Sequence, residues 1–190
     1  SSYSVPVKEA LQYAGANRNE IESVLSYYKE IDKDRLKFRA AEYLISNMPH
    51  HVSFPADLYM AYAKEVDSLF VHQKDKEQLK TGISDISKKY KSRLIPQQDI
   101  QHICSEYLIW NIDYSFQLWK ESPFLKELSF EEFCEYVLPY KCIELQPLNK
   151  WKETWKDRYT GDLDLLLQCH DMTYNVRRAV DVTQVPLRGH

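Results

Sequence analysis

At 190 residues, 44% apolar and 28% charged, the chain is long enough for one substantial core or two small ones, and its globular composition excludes wholesale disorder. The formal net charge is -3 and Lys and Arg are interspersed with Asp and Glu, so no basic stripe can neutralise a phosphate backbone, and nucleic acid is not expected as a partner. No apolar run approaches the roughly 20 residues that a bilayer-spanning helix needs, and Ser1 to Pro6 do not read as a signal peptide.

Four glycines in 190 residues are too few for the tight turns of a sheet-rich fold, which makes an all-α architecture the expectation. Val5 to Ala14 reads as a first helix, with Pro6 tolerable in its first turn and Gly15 suited to the position after its end. Asn17 and Glu20 have capping-box spacing ahead of Ile21, Val24, Leu25 and Tyr28, which recur as one helical face. Asp32 or Asp34 starts a third helix, with Leu36, Ala40, Tyr43, Leu44 and Met48 on its face and Pro49 discouraging continuation.

Pro55 and Asp57 precede an amphipathic helix over Leu58 to Val71, carrying Tyr62, Val66, Leu69 and Phe70. Thr81-Gly82 interrupts the next, more polar stretch, leaving a helix around Ser84 to Lys91 with Lys88-Lys89 solvated. From Gln97 to Trp119 the spacing of Ile100, Ile103, Tyr107, Trp110 and Tyr114 predicts one long central helix. Ser129 and Glu132 form a second capping-box pattern, Phe133 and Val137 face inward, and Pro139 stops that helix. A further helix starts at Pro147 with Trp151 and Trp155 four residues apart, and Gly161 turns the chain into another over Leu163 to Val180. The whole reads as a single domain over residues 1–190, an irregular bundle of eight or nine helices, with 181–190 a short strand or a disordered tail.

Few residues point to chemistry. Cys104, Cys134, Cys142 and Cys169 lack C-x-x-C spacing, and buried free thiols are expected. Cys169-His170-Asp171 contains the residue types of a nucleophilic triad, but helical neighbours point apart, and triads are assembled in space. His50-His51 lacks the i, i+4 placement of a helical zinc pair, and no metal or other cofactor is expected. Glu131, Glu132 and Glu135 sit where carboxylates favour a helix start. Tyr136, Tyr140, Trp151 and Trp155 offer an aromatic surface for sugar or peptide, against which stands ordinary core packing.

Several segments together resemble a known family. Asn17-Arg18-Asn19-Glu20-Ile21-Glu22-Ser23-Val24-Leu25 with Tyr28 is similar to an N-R-x-E-L-E-x-V-L-x-x-Y pattern, and Ala40 to Pro49 to an A-A-x-F-L-I-x-N-M-P pattern. Leu138-Pro139-Tyr140-Lys141 and Pro147 to Lys152 resemble L-P-Y-R and P-L-x-x-W-R elements, with lysines where the family has arginines. These patterns belong to the N-terminal helical region of bacterial cell-envelope proteins with a transglutaminase-like, papain-related core downstream. The resemblance implies an accessory region at the cell envelope or outside the cell, whose partner is the downstream catalytic domain and whose ligand is a peptide or glycan. It places the catalytic cysteine, histidine and aspartate beyond this chain, since Cys169 lacks the Gly-x-Cys setting. Tyr140, Lys141 and Trp151 are the candidate contacts to ligand or neighbouring domain. The alternatives are a stand-alone carbohydrate- or peptide-binding module and a small cysteine-dependent acyltransferase or hydrolase using Cys169.

Overall fold

A computed structural model of the chain describes residues 3–33 and 35–153. The helix expected over Leu163 to Val180, the tail, and Trp155, Cys169, His170 and Asp171 lie outside the described residues. Residues 1–149 form one compact unit, and a second begins at Lys150.

The fold is all-α, with eight α-helices among the described residues before Lys150: α1 (Val5–Ala14), α2 (Arg18–Ile31), α3 (Leu36–Ser46), α4 (Ala56–His72), α5 (Lys76–Tyr90), α6 (Asp99–His102), α7 (Ser105–Glu121) and α8 (Phe130–Tyr136). The core is built where α1, α2, α3 and α7 meet, from fully buried side chains such as Leu11, Ile21, Leu25, Tyr28, Ile45 and Ile112, closed by Phe133 of α8 and Leu138. Burying each large apolar side chain is worth roughly 1.5–3 kcal/mol, so this junction carries most of the unit's stability. On α3 the buried stripe is Phe38, Ala40, Ala41, Leu44 and Ile45, continued by Met48 just past its end, whereas Tyr43, expected inside, is exposed. The stripe is wider and rotated because α3 packs against α1, α2 and α7 together.

Gly15, at φ +55°, ends α1 as expected and leads into a 3-10 turn over Gly15–Asn17. The capping box expected at the start of α2 does not form. Asn17 continues from that turn with φ -84° and ψ 2°, and its side chain caps nothing locally. It reaches across to donate to the carbonyls of Ile100 at 3.0 Å and Ile103 at 2.8 Å, while Glu20 accepts the Ser105 N–H at 2.7 Å. The same contacts explain why the single helix expected from Gln97 to Trp119 is two. Ile103 adopts φ -66° and ψ 135°, its carbonyl turned to Asn17, and α7 begins afresh with Glu20 accepting its first N–H. At α3, Asp32 does the capping, accepting the Phe38 N–H at 2.9 Å.

Helices α4 and α5 pair as a hairpin in which no α4 residue is fully buried. The break expected at Thr81-Gly82 is absent, for α5 runs through it. A Cβ on Gly82 would lie 2.6 Å from Leu69 Cδ2, so the missing side chain serves close helix packing. The Lys88-Lys89 pair is exposed as expected, with Lys89 Nζ 2.7 Å from Glu65. The hairpin is tied to the preceding segment by Phe54 stacked on Tyr59 at 5.9 Å. A two-residue ribbon, β1 (Val52–Ser53) with β2 (Gln97–Gln98), pairs antiparallel and is the one sheet among the described residues. The sequence carries no alternation that marks it, since two residues are too few for a period-2 signal.

Candidate functional site

The stretch around the Pro139 break folds back onto α6, α7 and β1, and it gathers the polar side chains that sequence reasoning singled out. The Ser129 capping box forms as expected: Ser129 Oγ accepts the Glu132 N–H at 3.1 Å and Glu132 accepts the Ser129 N–H at 2.8 Å. Helix α8 ends at Tyr136, and Asn111 of α7 then donates to the Leu138 carbonyl at 2.7 Å, fixing the chain just before the proline.

Tyr140 and Lys141 both turn inward. The Tyr140 hydroxyl donates to Asp99 Oδ2 at 2.7 Å, and Lys141 Nζ lies 2.7 Å from the same oxygen. The Lys141 side chain is 7% exposed and that of Asp99 0%, so this is a buried ion pair. Its ammonium also donates to the Val52 carbonyl at 2.6 Å and meets Ser53 Oγ at 3.2 Å and Glu144 Oε2 at 3.4 Å. These acceptors surround a compact point charge, which a lysine supplies without a guanidinium fork. Burial, then the neighbouring Asp99 charge, pushes the Tyr140 and Tyr107 hydroxyls well above the ordinary phenol range, so both stay protonated donors. The Tyr107 hydroxyl lies 2.7 Å from the Tyr140 carbonyl and 3.0 Å from that of Asn149. Drawing the Asn149 carbonyl to Tyr107 keeps the chain out of helix there, which is why the helix expected from Pro147 starts at Trp151.

Around this pair, His51 Nδ1 and Glu144 Oε1 are hydrogen bonded, and the Val52 N–H donates to Glu144 Oε2 at 3.0 Å. Partial burial alone would raise the Glu144 carboxyl, but His51, the Val52 amide and Lys141 together hold it below its ordinary value. His50, at φ +74°, packs edge-on against Tyr13, consistent with the loop role expected for the histidine pair. Trp151 is half-buried at the start of the second unit, with Lys152 Nζ 5.4 Å from its ring centre.

A second polar knot sits on the other side of α7, where Asp113 Oδ1 accepts from the Tyr28 hydroxyl at 2.9 Å and from Lys37 Nζ at 2.8 Å. The thiols differ from expectation: Cys134 is buried, but Cys104 and Cys142 are exposed. Cys104 precedes α7 at the rim of a cleft and Cys142 lies in the loop after Pro139, so neither faces the helical core. Burial pushes the Cys134 thiol up to about 11, which leaves it a poor nucleophile at neutral pH. No group of three His, Cys, Asp or Glu side chains among the described residues could hold a metal ion.

Sequence reasoning found Tyr140 and Lys141 but missed their partner Asp99, which reads as an ordinary acidic residue at a helix start. It also missed Glu144, whose partners lie about 90 residues away at His51 and Val52. Compared with known proteins, the chain matches no family model, no curated protein and no solved structure.

Proposed function

We propose that this chain is a non-catalytic helical accessory module of a transglutaminase-like envelope protein, supporting or positioning substrate for a catalytic core that follows it. One observation carries the reading: the residues on which the family resemblance rests are spent on holding the module together around α6. Asn17 and Glu20, from the first pattern, hold the carbonyls of Ile100 and Ile103 and the amide of Ser105. Met48, from the second, is fully buried. Tyr140 and Lys141, from the third, converge on Asp99. Motifs used in this way specify a scaffold, because the polar side chains of Asn17, Glu20, Tyr140 and Lys141 have their donors or acceptors inside the fold.

In this reading the motif lysine at 141 is a fold determinant, and Trp151 remains the candidate contact toward the region that follows. A place at the envelope belongs to the same proposal. Among the described residues no helix is long and apolar enough to cross a membrane. The gene's reading frame tests the proposal: it is expected to continue past His190 into a cysteine, histidine and aspartate core. A frame with no such core would sink it.

A further inference from the structure

We infer that the outer face of α4 is an interaction surface for a second copy of this chain, the two copies joined by an antiparallel, two-fold pairing of α4 with α4. The inference goes beyond the accessory role and stands whether or not that role holds. Inside the molecule α4 uses its other side. Leu69 packs where Gly82 of α5 lets it approach, Tyr62 meets Tyr90 edge-on at 5.5 Å, and Glu65 takes Lys89 at 2.7 Å. At roughly 100° per residue, Met60, Lys64, Asp67 and Val71 fall on the side of the helix opposite Leu69 and Tyr62. All four are exposed, Met60 by 54% and Val71 by 63%, and Phe70 at their flank is exposed by 52%. Their spacing of four, three and four residues is the seam of a helix that pairs lengthwise with another.

Charge complementarity says what covers this seam. Asp57, Lys64, Asp67 and Lys74 are exposed, and none has an ion-pair partner among the described residues. When two copies of α4 run antiparallel about a two-fold axis level with the Glu65–Val66 peptide bond, one register matches the whole face. Lys64 then meets Asp67 of the second copy, Met60 meets its Val71, and Ala61 lies beside its Phe70. Asp57, in the first turn, reaches Lys74 of the second copy, just past the end of that α4. The interface is isologous, so every match occurs twice. A parallel pair in register would instead set Lys64 against Lys64 and Asp67 against Asp67, which charge repulsion disfavours. The acids and bases along the face are therefore ordered for a copy of the same helix running the opposite way.

One helix pair with two Met60–Val71 layers is a small interface, so the full chain is expected to show a reversible monomer–dimer equilibrium with a Kd between about 1 μM and 1 mM. Sedimentation velocity over a concentration series at low salt measures it. Lys64→Glu sets acid against acid at two places in the dimer, and Asp67→Lys sets base against base. Each is expected to weaken dimerisation about tenfold or more, since two exposed attractions become two repulsions. The double variant Lys64→Glu/Asp67→Lys exchanges the two charges within the chain and is expected to restore the parent Kd to within about threefold, because the cross-copy pairs are remade with their signs reversed. These positions are on the surface, and circular dichroism at 222 nm is expected to be the same for all four proteins. Met60→Ser/Val71→Ser, which removes the apolar layers, is expected to leave a monomer. The proposal is overturned if the parent chain stays monomeric up to about 1 mM, which would leave the face to another partner or to solvent. It is equally overturned if a dimer forms whose Kd neither single charge reversal changes, or if the double variant dimerises no better than the singles.

Discussion

Lys141→Met removes an ammonium and keeps a long, flexible chain of similar volume, so its effect isolates the buried ion pair. In the variant Asp99 stays buried, its side chain 0% exposed, with the Tyr140 hydroxyl donating to one oxygen and nothing among the described residues to the other. The Val52 carbonyl keeps the Leu145 N–H at 3.0 Å, so the loss concentrates on the carboxylate. Removing one partner of a buried pair costs about 3–5 kcal/mol, because an uncompensated charge is left in low dielectric. The expected loss lies at the lower end of that range, about 3 kcal/mol. Urea unfolding followed by circular dichroism at 222 nm reads the change directly. The double variant Asp99→Asn/Lys141→Met is expected to be less destabilised than the sum of the singles, since it buries no charge. A Lys141→Met protein within 1 kcal/mol of the parent would refute the reasoning, for it would mean that the pair is solvated in solution.

Asn17→Ala leaves the Ile100 and Ile103 carbonyls without their donor and is expected to cost about 2 kcal/mol in the same unfolding assay, whereas loss of a simple surface cap would cost less and leave exchange of the α6 and α7 amides unchanged. In the native protein at pH 8, Ellman's reagent is expected to titrate Cys104 and Cys142 rapidly and to reach Cys134 only on unfolding; a thiol raised to about 11 is about one part in a thousand thiolate there. Rapid modification of Cys134 in folded protein would contradict its burial. Glu20, through the Ser105 amide, and Glu144, through His51, the Val52 amide and Lys141 against the pull of its own burial, both have carboxyls held below their ordinary value. Such groups contribute stability above the unfolded-state value of about 4.3 and lose it as pH falls through their lower folded values. The melting temperature should therefore fall below about pH 4.3, and Glu20→Gln with Glu144→Gln should shallow that fall; an unchanged acid limb would show that neither carboxylate is engaged.

The contrast between the two capping-box patterns shows what local sequence can carry. Ser129 lies at the end of a loop in extended backbone, φ -63° and ψ 166°, so the first-turn amides of α8 are open and the box closes. Asn17 has the same spacing to its glutamate, yet it follows a 3-10 turn whose Gly15 carbonyl already takes the Arg18 N–H. Its amide is released for partners 83 and 86 residues away. The break between α6 and α7 was illegible for the same reason, because the apolar spacing through Ile100, Ile103 and Tyr107 is truly helical and only a distant side chain interrupts the backbone. Gly82 misled in the opposite sense: a helix-weakening residue was retained to let Leu69 approach, which propensity alone cannot express. The buried apolar face of α2 was legible throughout, since Ile21, Val24, Leu25 and Tyr28 are all buried. At the candidate site, the Leu-Pro-Tyr-Lys break stood out, but its meaning depended on Asp99, 42 positions before Lys141 and packed against it only in the fold.

In the proposed reading this module positions and supports substrate without doing chemistry itself. Amine incorporation into a glutamine-containing peptide, measured for the 190-residue chain and for its Cys169→Ala variant, tests it most directly. Neither protein is expected to show turnover above background. Turnover by the parent chain that disappears in Cys169→Ala would contradict it and make the chain a cysteine-dependent enzyme.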